Sequence, residues 1–256
     1  MTEAERIERD DLALPVALPP VVRRVVSLVP SLTEALAATA PGVLAGATDW
    51  CVHPPGLDVP RFRGTKNPDV RAIAAAGPDL VVLNQEENRE LDHRRLRAAG
   101  VPVWVTVTED VPGALRSLRR LITVALRLPA PAWLDAADAR LGGPPPDPEV
   151  RAAICVWRDP WMVVGSRTFA ADLLRHAGAA NVYAGHADRY PRVTPEEILA
   201  RGPDVVVLPD EPYAFTAADG PEAFPGRARL VSGRHLTWYG PSLVDAVGVL
   251  RAGLSP

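Results

Sequence analysis

The chain repeats itself, and the repeat limits what it can fold into. Residues 77–87, GPDLVVLNQEE, and residues 202–212, GPDVVVLPDEP, agree at seven of eleven positions. The two copies start 125 residues apart (202 − 77). Each follows a short amphipathic helical stretch, DVRAIAAA at 69–76 and PEEILAR at 195–201. Each carries a β-branched run suited to a strand buried on both faces of a parallel sheet. Each ends in polar and acidic residues, where a strand gives way to a loop. The repeat extends loosely to either side. RRVVSLVPSLTEAL at 23–36 predicts a strand and then a helix, with Ser31 and Glu34 spaced as a capping box. RAAICVWRDPWMVVGSRTFAADLLRHAG at 151–178 restates the theme with a longer excursion before its helix. Shorter strands are predicted at 43–48, 101–107 and 228–232.

Each half therefore reads as β-α-β-α-β, an α/β lobe with a parallel sheet and crossover helices. The expected organisation is an extension at 1–20, a lobe at 21–127, a bridging helix and linker at 128–149, and a second lobe at 150–256. The linker ends in GGPPPDP at 142–148. Two lobes imply a ligand cleft between them. In open α/β sheets ligands bind beyond the carboxyl ends of the strands, so the strand-end loops become the candidate pocket. Four of the six Trp residues fall in those loops: Trp50, Trp157, Trp161 and Trp238. Trp104 lies within a strand and Trp133 in the connecting helix, where packing is expected. Aromatic-walled loops suit a large, partly flat ligand.

Composition excludes several classes. With 28 basic and 31 acidic residues and no basic run, nucleic acid is not an expected partner. No apolar run is long enough to span a membrane, so no membrane insertion is expected. The start, MTEAERIERDDLALPVALPP, has neither a basic n-region nor an apolar h-region. That predicts a cytoplasmic protein, with Cys51 and Cys155 as free thiols in a reducing compartment.

The motifs RVVSLVPSLTEAL, GATDWCVHPPG, NPDVRAIAAAGPDLVV and VTPEEILARGPDVVVL, with their spacing, cover nearly all of 22–250. In these the chain resembles the helical-backbone metal receptors, the class III periplasmic binding proteins of cobalamin and siderophore uptake. The resemblance implies two Rossmann-like lobes joined by a rigid helix, with the ligand between them. It implies ligand contacts in the 50–53 loop, at Phe62 and Arg63, at the start of NQEEN, in WRDPW, at Tyr190 and over Arg234–Trp238. Cobalamin or another metal-containing cofactor is the implied type of ligand. The resemblance further implies one exposed acid per lobe for docking on a membrane permease. Glu196 fits that role, but Arg71 stands at the matching position of the first lobe, which counts against permease docking. The bridging helix, at about 13 residues or ~20 Å, is shorter than the resemblance implies.

Cys51 and His53 in TDWCVHPPG invite a metal or nucleophile reading. A lone Cys-x-His supplies two ligands where zinc needs three or four. No signature of a cysteine hydrolase accompanies the thiol. Trp50 and His53 are therefore expected to line the pocket while Cys51 packs inward. His53 or His235 is the candidate axial ligand of a cofactor metal. In WRDPW, Arg158 and Asp159 pair with each other or hold a polar ligand group while Trp157 or Trp161 stacks on it. Gln85, Glu86 and Glu211 are the expected contacts from the two repeat loops, with Tyr213 beside the second. Arg63, Arg158, Arg192 and Arg234 would make the cleft basic around Tyr190. The leading expectation is a non-catalytic protein binding a small molecule or cofactor, in cytoplasmic storage, delivery or sensing. One alternative is an enzyme using Glu86, Asp159 and His53 as acid–base groups. The other is a transporter solute-binding protein whose export signal is absent.

Overall fold

The structure, a computed structural model, describes residues 5–255. Its chain divides into two units. Unit 1 runs to Thr108 and includes Gly113–Asp135 and Tyr239–Pro241. Unit 2 holds Glu109–Pro112, Ala136–Trp238 and the chain from Ser242.

Unit 1 opens with a hairpin of β1 (Arg6–Arg9) and β2 (Pro15–Leu18). The residues expected to be a separate extension thus belong to this unit. Strand β3 (Val25–Ser27) leads into α1 (Pro30–Thr39), then β4 (Leu44–Ala47). A small hairpin, β5 (Arg63–Gly64) and β6 (Asn67–Pro68), precedes α2 (Val70–Ala75) and β7 (Leu80–Asn84). Helix α3 (Glu90–Ala98), β8 (Val103–Thr106) and α4 (Val111–Arg120) follow, and α4 runs on into a π-helical stretch at Leu121–Ala125. The sheet order is β4-β3-β7-β8, all parallel. Val26, Leu28, Ile73, Val81, Leu83 and Leu96 form its core. The expected capping box at Ser31 and Glu34 does not form. Pro30 takes the first helical position, which its fixed φ favours, so Val29 is the cap residue and both Ser31 and Glu34 lie buried inside the helix.

Helix α5 (Ala132–Leu141) has its first residues in unit 1 and the rest in unit 2. Its ten residues span about 15 Å. Unit 2 then runs β9 (Val150–Trp157), β10 (Met162–Val163), α6 (Phe169–His176), β11 (Ala179–Asn181) and α7 (Pro195–Ala200). It closes with β12 (Val205–Pro209), β13 (Ala228–Val231), α8 (Gly233–Thr237) and α9 (Leu243–Leu254). Strand β9 pairs in parallel with β11 on one side and β12 on the other, and β13 follows β12. This matches the strand order of unit 1. The excursion read in the sequence is β10, which turns back and pairs antiparallel with the end of β9. A capping box does form here, at Thr194 and Glu197 on α7.

The repeated Gly-Pro-Asp works the same way in both units. Gly77 and Gly202 take φ of 58° and 64°, which end α2 and α7 at low steric cost. The Asp79 carboxylate accepts the backbone N–H groups of Arg23 and Arg24 at 2.7 and 2.9 Å. The Asp204 carboxylate accepts that of Arg151 at 2.8 Å. Arg24 and Arg151 in turn donate to the carbonyls just past the ends of α2 and α7, those of Ala76 and Gly77 in one unit and Arg201 and Gly202 in the other. One tripeptide therefore ends a helix, starts a strand and registers it against the neighbouring strand.

Candidate functional site

In unit 1 the loops beyond the strand ends are built on a polar frame. Asn84, the last residue of β7, accepts the backbone N–H groups of Glu86 and Glu87 at 2.8 and 3.2 Å. Its amide donates to Thr106, the last residue of the neighbouring strand β8, and to Thr108 just beyond it. Asn88 accepts from the Asn84 backbone and donates to the carbonyls of Leu28 and Thr65. These two buried asparagines set the path of the 85–87 loop. Gln85 is left exposed and Glu86 half-buried. Lys66 donates to the Glu86 carbonyl at 2.5 Å.

Glu87, which sequence reasoning passed over, is the most perturbed carboxyl of this face. It accepts a 2.6 Å hydrogen bond from the Tyr239 hydroxyl. Burial pushes it up to about 7, with Glu86 adding to the rise and the Tyr239 bond and Lys66 opposing it. Burial, with Glu87 alongside, also raises the Tyr239 phenol well above its ordinary range. The neighbouring Gly240 packs tightly on α1: a Cβ there would lie 3.1 Å from the Ser31 carbonyl and 3.5 Å from a Glu34 carboxyl oxygen.

The 48–57 loop is held by Arg61, also unforeseen, which donates to the carbonyls of Thr48, Cys51 and Leu57. Trp50 stands 66% exposed, its indole nitrogen beside Gly64. Cys51 is buried between the Thr33 and Thr48 hydroxyls, and burial raises its thiol. That suits packing and not nucleophilic attack. His53 is half-buried. Phe62 lies in the core, filling the space beside Gly46, so its ring is withdrawn from the surface. Arg63 is exposed and faces Asp69 at 3.5 Å.

In unit 2 the end of β9 and the turn after it carry an aromatic and charged cluster. Trp157 is 44% exposed and meets Tyr213 edge-on at 5.6 Å. Tyr213 donates to Asp219 at 2.6 Å and packs on Phe215 at 4.6 Å. Trp161 is buried, stacked on Phe215 and edge-on to Phe224. Arg158 lies over the Trp161 ring at 5.4 Å and pairs with Asp219, with Glu222 at 2.5 Å and with Asp159 at 3.9 Å. Glu222 and the other acids hold its guanidinium above the ordinary range. The expectation of a basic pocket weakens here, because three carboxylates surround one arginine. Asp219 and Glu222 lie more than 60 residues from Arg158 in the chain, and no local pattern marks them.

The remaining unit 2 candidates are dispersed. Tyr190 is half-buried and Arg192 exposed, on the segment that bridges to Met162. Glu211 packs against Gly233, which Asp210 anchors by accepting its N–H at 2.6 Å. Arg234 is half-buried and Trp238 buried. His235 has both ring nitrogens engaged, by Ser232 at 2.8 Å and Asp245 at 3.5 Å. An axial-ligand role through Nε2 would give up the Asp245 contact and could keep the Ser232 one. Among the described residues no cluster of three or more His, Cys, Asp or Glu is placed to hold a metal ion. Both cysteines are free and buried.

No family model matches the chain. Curated relatives do. It is 26% identical over 198 residues to a vitamin B12-binding protein of Vibrio parahaemolyticus, covering 72% of this chain and 70% of that one. The vitamin B12-binding protein of Salmonella typhi is 27% identical over 197 residues, covering 72% and 71%. Among solved structures, the periplasmic vitamin B12-binding protein of Vibrio cholerae superimposes with a TM-score of 0.72 at 18% identity, over 91% of this chain and 96% of that one. A periplasmic haem-binding protein from Pseudomonas aeruginosa gives 0.75 at 23%, over 91% and 93%. The resemblance carried by the sequence motifs therefore holds: the chain is a relative of vitamin B12-binding proteins and has the fold of the class III periplasmic binding proteins. The coarser functional reading, a non-catalytic solute-binding protein, is supported. The expected cytoplasmic location is overturned, since the structural neighbours, a vitamin B12-binding protein among them, are periplasmic binding proteins. That expectation rested on the first residues of the sequence, which carry no weight against these neighbours.

Proposed function

We propose that this chain is a periplasmic solute-binding protein for a large metal-containing cofactor of the corrinoid or haem type. Strand-end loops supply the contacts. The observation that carries this reading is the pair of exposed tryptophans at the carboxyl ends of the strands, Trp50 on the loop after β4 in unit 1 and Trp157 as the last residue of β9 in unit 2. An exposed indole costs solvation free energy unless something covers it. Trp157 is also held in place, by Tyr213 and through it by the Asp219–Arg158 pair. The names of the relatives support the same class of ligand. His53, Arg63, Gln85, Glu86, Tyr190, Arg192, Glu211 and Arg234 are polar contacts in this proposal. Phe62, Trp161 and Trp238 shape the loops from beneath.

Delivery to an ABC importer fits the relatives, with a docking face of unequal charge. Arg71 and Glu196 occupy matching exposed positions on α2 and α7, so a permease would need an acid opposite one and a base opposite the other.

The test is a visible-absorption titration with hydroxocobalamin and with haemin. One of the two should shift its bands at stoichiometric protein and raise the melting temperature. Trp157→Ala and Trp50→Ala should each weaken that binding about tenfold, the ~1–2 kcal/mol an aromatic contact supplies. If neither chromophore shifts and neither stabilises the protein, the proposal fails.

A further inference from the structure

Unit 2 has a second feature with the marks of a binding site, away from the strand-end loops. A groove of about 490 Å³ runs along α9, floored by Leu243, Val247 and Gly248 and flanked by Arg140, His176 and Arg251. It lies toward the amino ends of the strands. His176 ends α6 just before β11, and the Gly178 carbonyl accepts the N–H of Glu149 where β9 begins. This is the opposite edge of the sheet from the loops that carry Trp157 and Tyr213.

Three observations point to an occupant. The volume falls within the ~300–1,000 Å³ typical of small-molecule sites. The charge is one-sided. Arg140 and Arg251 donate to backbone carbonyls, those of Val244 and His176, and the residues lining the groove include no carboxylate. Burial lowers His176 toward its neutral form, with Asp172 opposing, so the two guanidiniums set the local charge. The third observation is Gly248. Glycine weakens a helix interior, and Gly248 sits mid-helix in α9 with nothing within 4 Å of where a Cβ would be. The other late glycine of α9, Gly253, has a packing reason, because a Cβ there would come within 3.1 Å of Val231. Gly248 has no such neighbour and faces open space among the residues that line the groove.

We propose that this groove binds a small amphipathic anion: an apolar body against Leu243, Val247 and Gly248, with a carboxylate or sulfonate held between Arg140 and Arg251. Two guanidiniums with no carboxylate lining partner suit an anion through charge-assisted hydrogen bonds. The site is independent of the cofactor-binding proposal.

The experiment uses the full chain and 8-anilinonaphthalene-1-sulfonate, read by its fluorescence. Wild type should saturate at one site in this groove, with binding that weakens as salt rises. Gly248→Leu, which fills the floor, should weaken that binding at least tenfold. The double variant Arg140→Gln/Arg251→Gln should also weaken it about tenfold and flatten the salt dependence, and it decides the matter should Gly248→Leu fold poorly. Trp157→Ala should bind the probe as wild type does, which separates this site from the cofactor loops. The proposal is overturned if wild type shows no saturable binding, if the arginine variant binds unchanged, or if the uncharged N-phenyl-1-naphthylamine binds as tightly and with the same response to the arginines.

Discussion

The two units share a sheet and differ in what surrounds it. In both, the Gly-Pro-Asp tripeptide and an arginine at the start of the neighbouring strand weld helix end to strand start. Beyond that weld they diverge. Unit 1 covers the outer edge of its sheet with the N-terminal hairpin. The Asp10 and Asp11 carboxylates accept the N–H groups of Val105 and Val107, and Asp11 donates its own N–H to Val105. Unit 2 instead extends β9 into an antiparallel turn that presents Trp157, and its outer strand β13 leaves Leu230 44% exposed. The repeated residues hold backbone to backbone, and the unrepeated ones decide which edges are closed and which side chains reach solvent. An unsatisfied sheet edge invites association, and the hairpin covers that edge in unit 1.

A large effect at a single pH should come from breaking the unit 1 device. Asp10 is 2% exposed and serves four donors: the backbones of Leu12, Leu14 and Val105 and the guanidinium of Arg97. Asp10→Ala would leave Arg97 with part of its charge buried and uncompensated. A loss of about 3 kcal/mol is expected, the low end for breaking a buried pair. Urea unfolding followed by site-specific hydrogen exchange should place that loss in unit 1 and spare β9 to β13. An equal loss of protection in both units would end the idea that the hairpin serves one of them.

The shared weld offers a smaller, graded test. Asp79 satisfies two backbone donors and Asp204 one. Asp79→Ala should cost about 2 kcal/mol and Asp204→Ala about 1 kcal/mol, at ~1 kcal/mol per hydrogen bond lost where solvent partly compensates. Denaturant midpoints at constant slope would measure both. The reverse ranking would show that packing, and not donor count, sets the cost.

The same contrast explains what could be read in the sequence. The repeat and the β-branched runs disclosed both sheets, because strand burial and Gly-Pro-Asp act locally. The hairpin escaped because its acids and prolines resemble a solvated tail. Its signal was Asp10 followed by DLAL: the carboxylate accepts from residues two and four ahead, an Asx-type turn. Trp50 and Trp157 were legible as strand-end residues. Phe62 and Trp161 were not distinguishable from them, since only tertiary packing against Gly46 and Phe215 turns those rings inward. Asp219, Glu222 and Tyr239 were invisible for a related reason: their partners are distant in the chain or common in type.

The last prediction concerns Glu87, whose position in the repeat corresponds to Pro212 of unit 2, so only unit 1 can titrate there. Its folded carboxyl titrates at about 7, mainly through burial, against ~4.3 for an unperturbed glutamate. Between those values the native state keeps a proton that the unfolded chain has released. Stability therefore falls as pH rises through this window and levels off above about 7, with a slope of at most ~1.4 kcal/mol per pH unit from this group. Glu87→Gln keeps an acceptor for the Tyr239 hydroxyl and removes the titration. The difference between wild type and variant isolates Glu87 from His93, whose pKa burial lowers in the same unit. Chemical denaturation from pH 4.5 to 8 should show the variant gaining on wild type steadily up to about pH 7 and holding that lead above it. Parallel profiles for the two proteins would mean that the Glu87 carboxyl reaches water in solution, and that the Tyr239 contact does not seal this edge of unit 1.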